Sequence, residues 1–205
     1  MGYSASVLGA SGYAGGEVLR LLVAHPALDI SAAAAARRSG EAAAAVHPNL
    51  LGRDLPELRD LAEVVATPVD VVFSCLPSGR LRPLLEDLRA EVVIDLSDDH
   101  RSDPDWTYGL TEFGRAGMPA PRVANPGCYP TGTLLALVPF VRAGAVEGPL
   151  VVDALSGVSG AGRRAEDRLL FSSATDNAGA YGTTEHRHIP EVERGLSVFG
   201  GTHLG

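Results

Sequence analysis

Residues Ser4–Pro26 read SASVLGASGYAGGEVLRLLVAHP. Ser4 to Leu8 has the pattern of a short buried strand. Val18, Leu21 and Leu22 then recur at helical spacing, Leu19 widens the apolar face, and His25-Pro26 stops the helix. Between the two lies Gly9-x-x-Gly12-x-x-Gly15. It differs from the commoner G-x-G-x-x-G in the place of its first glycine. Its context, between a first strand and a helix, is one in which first-turn amides meet a pyrophosphate. Gly9, Ser11, Gly12, Tyr13, Ala14 and Gly15 are therefore the candidate cradle. The alternative is an ordinary tight strand–helix turn.

Outward from this unit, Asp29–Ala36 (DISAAAAA) is the second strand by topology, although alanine is a poor strand former and the run through Ala45 would also suit a helix. A site for NAD usually places an acid at the end of that strand. Here the place holds Arg37, Arg38 and Ser39, which suit a 2'-phosphate and favour NADP. A solvated basic pair in a loop is the alternative. Arg53–Val65 reads as loosely helical and Val69–Leu76 as the clearest strand. A turn at Pro77-Ser78-Gly79, a helix over Leu81–Leu88 and a strand over Val92–Leu96 follow. Continuously apolar strands alternating with helices predict an α/β fold with a parallel sheet covered on both faces. Ser97–Arg122 is polar and rich in Gly and Pro, as a long functional loop or domain crossing would be. Beyond it the pattern predicts a helix over Gly132–Arg142, a strand over Leu150–Leu155 and a glycine-rich stretch, SGVSGAGRR. The final third is polar and irregular.

The 205 residues suit one large domain or two modest ones. A net charge of -8, no lysine and scattered arginines argue against a nucleic-acid partner, because no basic stripe exists to release counterions. No apolar run approaches a membrane span and no leader pattern opens the chain, which makes the cytoplasm the expected compartment. Two cysteines do not make a disulfide framework. Cys75, in an apolar strand, reads as a small core residue.

Cys128 is placed differently. In VANPGCYPTG it stands behind Pro126 and Gly127 at a helix entrance, where the macrodipole and free amides favour a thiolate. The candidate proton acceptors are His186 and His188 in EHRHIPE; His25, His47, His100 and His203 have no such neighbour in sequence. Cys128, His186, His188 and Glu191 also resemble a zinc ligand set by type, but no Cys-x-x-Cys pair or H-E-x-x-H helix accompanies them, and no metal is expected. An inert cysteine beside solvated histidines is the remaining alternative.

GASGYAGGEVLRLL, DLSDDHR, YGLTEF, NPGCYPTG, SGVSGAGR and HRHIPE occur in this order from Val7 to about Glu193. Together they closely resemble the N-acetyl-gamma-glutamyl-phosphate reductase family of arginine biosynthesis. The resemblance implies an NADP-binding Rossmann domain, taken as residues 1–127, and part of an α+β catalytic domain of the semialdehyde-dehydrogenase type, residues 128–205. It implies an oxidoreductase in which Cys128 attacks the acyl phosphate of N-acetylglutamyl 5-phosphate and holds a thioester that hydride from NADPH converts to the semialdehyde. His186, the first choice for contact with the thiol, and His188 would be the acid and base, and Glu191 would orient an imidazole. Ser156, Gly157 and Arg163 would hold the substrate's carboxylate or phosphate. Leu76, Pro77 and Gly79 would line the nicotinamide side. The family forms homo-oligomers through its catalytic domain.

Two departures stand out. The family usually shows H-P-H-L where this chain has His47-Pro48-Asn49-Leu50, and its members are considerably longer, so a fragment or truncated product that exposes apolar surface is expected. Two other functions stay open: the sibling reductase of carrier-bound aminoadipyl phosphate in lysine biosynthesis, and a non-catalytic NADP-binding module.

Overall fold

The computed structural model describes residues 2–114, 120–183 and 185–201. His203 lies outside the described residues. The chain divides into two compact units, one of Met1–Tyr108 with Pro119–Asn125, the other of Gly109–Met118 with Pro126–Gly205.

The first unit is a seven-stranded sheet in which every pairing is parallel. Its strands are β1 (Tyr3–Leu8), β2 (Leu28–Ala34), β3 (Leu58–Arg59), β4 (Val69–Ser74), β5 (Ala90–Asp95), β6 (Thr107–Tyr108) and β7 (Arg122–Ala124). The order β3-β2-β1-β4-β5-β7-β6 reverses direction between β1 and β4. At such a switch point the loops leaving the strands' carboxyl ends diverge and open a crevice for a ligand. The α/β, Rossmann-type sheet expected from the sequence is present.

Helices α1 (Tyr13–Leu22), α2 (Ala43–Val46) and α3 (Leu61–Ala66) belong to this unit. The strands' period of two divides the core into two layers. Leu8, Ala32, Ala34, Val72 and Val93 pack with Val64 and Val65 of α3. Ala5, Val7, Ala33 and Ala35 pack with Leu19 and Leu22 of α1 and Val46 of α2. The alanines of β2 are thereby explained. Ala32–Ala35 are almost fully buried, and small side chains let cover approach both faces, so packing overrides propensity.

Two expectations fail here. Leu81–Leu88 is not a helix: it forms a single 3₁₀ turn at Arg82–Leu84 and a series of i→i+3 bonds. Pro83 lacks the N–H that would reach back to the Gly79 carbonyl, and Leu81 anchors the segment in the core. Within Arg53–Val65 the helix is confined to Leu61–Ala66, started by Asp60, whose carboxylate accepts from the Ala62 amide at 2.8 Å, and the short β3 precedes it.

The second unit contains α4 (Thr111–Gly114), α5 (Cys128–Arg142), α6 (Phe171–Ala174) and α7 (Ile189–Gly200). Helices α5 and α7 pack together, with Gly195 of α7 directly on Leu134 of α5. The Arg142 guanidinium lies 5.2 Å from the Phe113 ring centroid and donates to the Phe199 carbonyl at 2.6 Å, tying α4, α5 and α7. The strand expected at Leu150–Leu155 is absent, and the segment is irregular and exposed. A strand exists only as a ladder, and no described segment pairs with this one.

Candidate functional site

The glycine-rich loop leaves β1 at the switch point. Gly9 has φ +75°, a conformation costly for any residue with a Cβ, and a Cβ there would meet the Cys75 carbonyl oxygen at 2.6 Å. A Cβ on Gly15 would meet the Gly9 carbonyl oxygen at 2.4 Å. The first turn of α1 is thus folded tightly onto the loop. Gly12 has looser surroundings, with its nearest neighbour at 3.4 Å, and caps α1 with no side-chain hydrogen bond. Backbone can approach a ligand closely there, and the helix's first amides have no intrahelical acceptor. The residues present fit a pyrophosphate.

Arg37, Arg38 and Ser39 follow the end of β2 and are exposed, with Arg38 paired to Glu41 at 3.1 Å. Leu76, Pro77 and Gly79 leave β4 across the crevice. The Gly79 amide donates to Asp99 Oδ2 at 2.6 Å, and the Ser78 hydroxyl bonds Asp98, so the loop after β5 braces the loop after β4. Cys75 lies half-buried between them. Burial, reinforced by the Asp95 carboxylate, pushes its thiol up to about 12. His100 is buried, donates from Nδ1 to Asp95 Oδ2 at 2.8 Å, and stacks on Trp106 with centroids 4.0 Å apart.

In the second unit, Cys128 is the first residue of α5 and is exposed, and both cysteines are free thiols. The helix starts one turn earlier than the sequence pattern suggested. Gly127 supplies the extended cap and its carbonyl accepts from the Thr131 amide at 2.9 Å. The Gly127 amide donates to the buried carboxylate of Glu191 in the first turn of α7, at 2.8 Å. Glu191 therefore fixes the turn that presents the thiol.

His188 is the buried N-terminal cap residue of α7, and its amide donates to His186 Nδ1 at 3.2 Å. The two imidazoles lie 5.0 Å apart. Tyr129 is 5.4 Å from His186 and 6.0 Å from His188, both edge-on. Tyr181, 5.4 Å from His186, bonds its hydroxyl to that of Tyr129 at 3.0 Å. That hydrogen bond, with burial and the negative charge of a Cys128 thiolate, pushes the Tyr181 phenol up to about 12, against the pull of Arg187.

A four-ring cluster so assembles beside the thiol, half of it unread from sequence. Tyr129 carried a signal in its adjacency to Cys128. Tyr181 carried none, because the chain around it has no periodicity to place it. Ser156 and Gly157 lie on an exposed stretch, the Ser156 hydroxyl turned onto the Gly157 carbonyl, and Arg163 is exposed after the 3₁₀ turn Val158–Ala161. Among the described residues no group of three His, Cys, Asp or Glu side chains is arranged to hold a metal ion.

The family model described as "Semialdehyde dehydrogenase, NAD binding domain" matches residues 4–118, and "Semialdehyde dehydrogenase, dimerisation domain" matches residues 128–204. A relative from Frankia casuarinae named N-acetyl-gamma-glutamyl-phosphate reductase is 44% identical over 96% of this chain and 63% of its own length. A rice relative, named a probable chloroplastic N-acetyl-gamma-glutamyl-phosphate reductase, is 41% identical over 94% of this chain and 52% of its own length. The chain thus spans between about half and two thirds of these relatives. The crystal structure of aspartate semialdehyde dehydrogenase II from Vibrio cholerae superposes with a TM-score of 0.66 at 17% identity, over 99% of this chain and 68% of that one, which is a likeness of fold.

Proposed function

Because this chain belongs to the semialdehyde dehydrogenase family, we propose that it carries the cofactor and thiol machinery of an NADPH-dependent N-acetyl-gamma-glutamyl-phosphate reductase of arginine biosynthesis. The observation that carries the reading is an exposed thiol at the first residue of a helix, its turn held by a buried carboxylate, with two imidazoles beside the next residue. The Cys128 thiolate attacks the acyl carbon of N-acetylglutamyl 5-phosphate, the bond from that carbon to the phosphate oxygen breaks, and phosphate leaves with the electron pair. A thioester remains on Cys128. NADPH, held by the loop of Gly9, Gly12 and Gly15, would supply the hydride that takes the thioester to the aldehyde and frees the Cys128 thiolate.

Neutral His186 accepts at Nδ1, so its proton sits on Nε2, where it can be donated to developing negative charge. His186 remains the first choice for contact with the thiol, with the His188 ring 5.0 Å from it. Arg37 and Arg38 support NADP over NAD. The first unit holds the cofactor and the second performs the chemistry. Ser156, Gly157 and Arg163 remain the proposed substrate contacts, the cytoplasm the proposed compartment, and a homo-oligomer the proposed assembly, in keeping with the dimerisation-domain match.

The test runs the reaction backwards. Phosphate-dependent formation of NADPH from N-acetylglutamate semialdehyde and NADP is expected in the wild type and lost in Cys128→Ser. Binding of NADPH without turnover favours a non-catalytic module, and turnover surviving in Cys128→Ser overturns the nucleophile. A preference for the aminoadipyl substrate assigns the chain to the lysine-pathway sibling.

A further inference from the structure

We infer that His47 is a positioning residue for dinucleotide binding, which holds the Ala10 carbonyl of the glycine-rich loop and thereby aims the Ser11 amide outward as a phosphate donor. The inference rests on the reading of that loop as a dinucleotide site.

His47 closes α2, starts the Pro48–Leu50 turn, and is 4% exposed. Its Nε2 lies 2.7 Å from the Ala10 carbonyl oxygen. A carbonyl only accepts, so Nε2 carries the proton. The other edge of the ring lies over Gly16: a Cβ there would stand 2.4 Å from Nδ1 and from Cε1. Gly16 is the one glycine of GASGYAGG outside the Gly9, Gly12 and Gly15 pattern, and the space its missing side chain leaves is filled by this imidazole.

Ala10 is held from both sides, since its amide also donates to the Ala34 carbonyl at 2.8 Å. In a trans peptide the carbonyl and the following N–H point in opposite directions. Pinning the Ala10 oxygen inward on His47 therefore turns the Ser11 N–H the other way. Ser11 is half-buried, and its amide has no acceptor among the described residues. An outward amide beside a helix N-terminus at the switch point is the donor a pyrophosphate oxygen requires. The motif His47-Pro48-Asn49-Leu50 acquires a purpose in this arrangement: its first residue locks the loop from beneath, without touching the ligand.

The experiment measures NADPH dissociation constants and melting curves for the full chain and three variants. In His47→Gln the amide nitrogen falls near Nε2 and keeps the donor. His47→Leu fills space without one, and Gly16→Ala displaces the ring. His47→Leu and Gly16→Ala are expected to bind NADPH roughly tenfold more weakly, the scale of one lost hydrogen bond. His47→Gln is expected to stay within about threefold of the wild type, even where both His47 variants melt at equally lowered temperatures. Equal affinity in the wild type and a folded His47→Leu, or equal losses in the Leu and Gln variants, overturns the inference and leaves the dinucleotide reading intact. Absence of NADPH binding by the wild type overturns both. If His47→Leu does not fold, amide exchange on the wild type decides: NADPH must slow exchange at Ser11, and an unchanged rate there, with binding present, overturns the inference.

Discussion

The two cysteines differ in everything but chemistry. Cys128 is exposed at the start of α5, whereas Cys75 is half-buried and its thiol is pushed up to about 12 by burial and the Asp95 carboxylate. The thiolate is the species that alkylates. Iodoacetamide at pH 8 is therefore expected to add one group per chain, at Cys128, and none to Cys128→Ser, with Cys75 reacting only in denaturant; intact-mass spectrometry reads each case. A second group on the native chain would contradict the account of Cys75. The phenol pair supports a second prediction. Two hydroxyls share one hydrogen bond, so one phenolic proton remains for a third acceptor. Tyr181, held protonated, donates its proton to the Tyr129 hydroxyl and leaves the proton of Tyr129 for another acceptor. In Tyr181→Phe that polarisation is lost while both rings stay, so kcat is expected to fall roughly tenfold with KM little changed. Equal kcat in the two proteins would leave Tyr181 a packing residue. The thiol and the histidines were legible because their chemistry and their motifs coincide. Tyr181 was not, because a ring cluster is a property of where the chain returns.

At the scale of elements, α7 shows what hydrophobic periodicity misses. Its buried positions are Glu191, Gly195, Leu196 and Gly200, so only one large apolar residue marks the inner face. A helix that packs through glycine leaves little apolar stripe to read, and the segment looked irregular for that reason. The β1–α1–β2 unit was legible because its apolar spacing and its turn residues agree. Leu81–Leu88 and Leu150–Leu155 misled because four leucines astride a proline and a run of valines are local signals, whereas a helix needs its i→i−4 donors and a strand needs a partner. The glycine contact gives the prediction for this scale. A Cβ on Gly195 would lie 2.5 Å from Leu134 Cδ1. Gly195→Ala is expected to cost about 1–3 kcal/mol through overpacking, in spite of alanine's better helix propensity. Leu134→Ala alone opens a cavity at a costlier site, and the double variant should be more stable than the sum of the two losses predicts. Urea-dependent amide exchange in α5 and α7 of the four proteins measures the coupling, and strict additivity would mean the two helices do not meet at this contact.

For the whole molecule, charge and exposure decide how stability is measured. Val151, Leu155 and Phe171 of the second unit are 87%, 94% and 85% exposed, so that unit carries apolar surface which water meets directly. A single unfolding free energy for the chain is not a defined quantity when two units differ this much in cover. The only tryptophan, Trp106, is in the first unit and reports on it alone, and Cys75 belongs to the same unit. An unfolded thiol titrates near about 8.5, and that of folded Cys75 near about 12. Between those values the unfolded chain has given up a proton that the folded chain keeps, so the unfolded state binds fewer protons and stability must fall as pH rises. Below the unfolded value the contribution is fully present, and the loss proceeds upward through the folded one. One such group tilts stability by at most about 1.4 kcal/mol per pH unit. The chain contains no lysine, which keeps the alkaline window simple. Urea unfolding followed by Trp106 fluorescence at pH 8, 9 and 10 is expected to show declining stability in the wild type and a flatter course in Cys75→Ala. Cys75→Ala starts lower at pH 8 by the packing it gives up. Tyrosines titrate alike in both proteins, so the difference between the two slopes isolates the buried thiol, and parallel slopes would mean that Cys75 ionises as readily in the folded sheet as in the open chain.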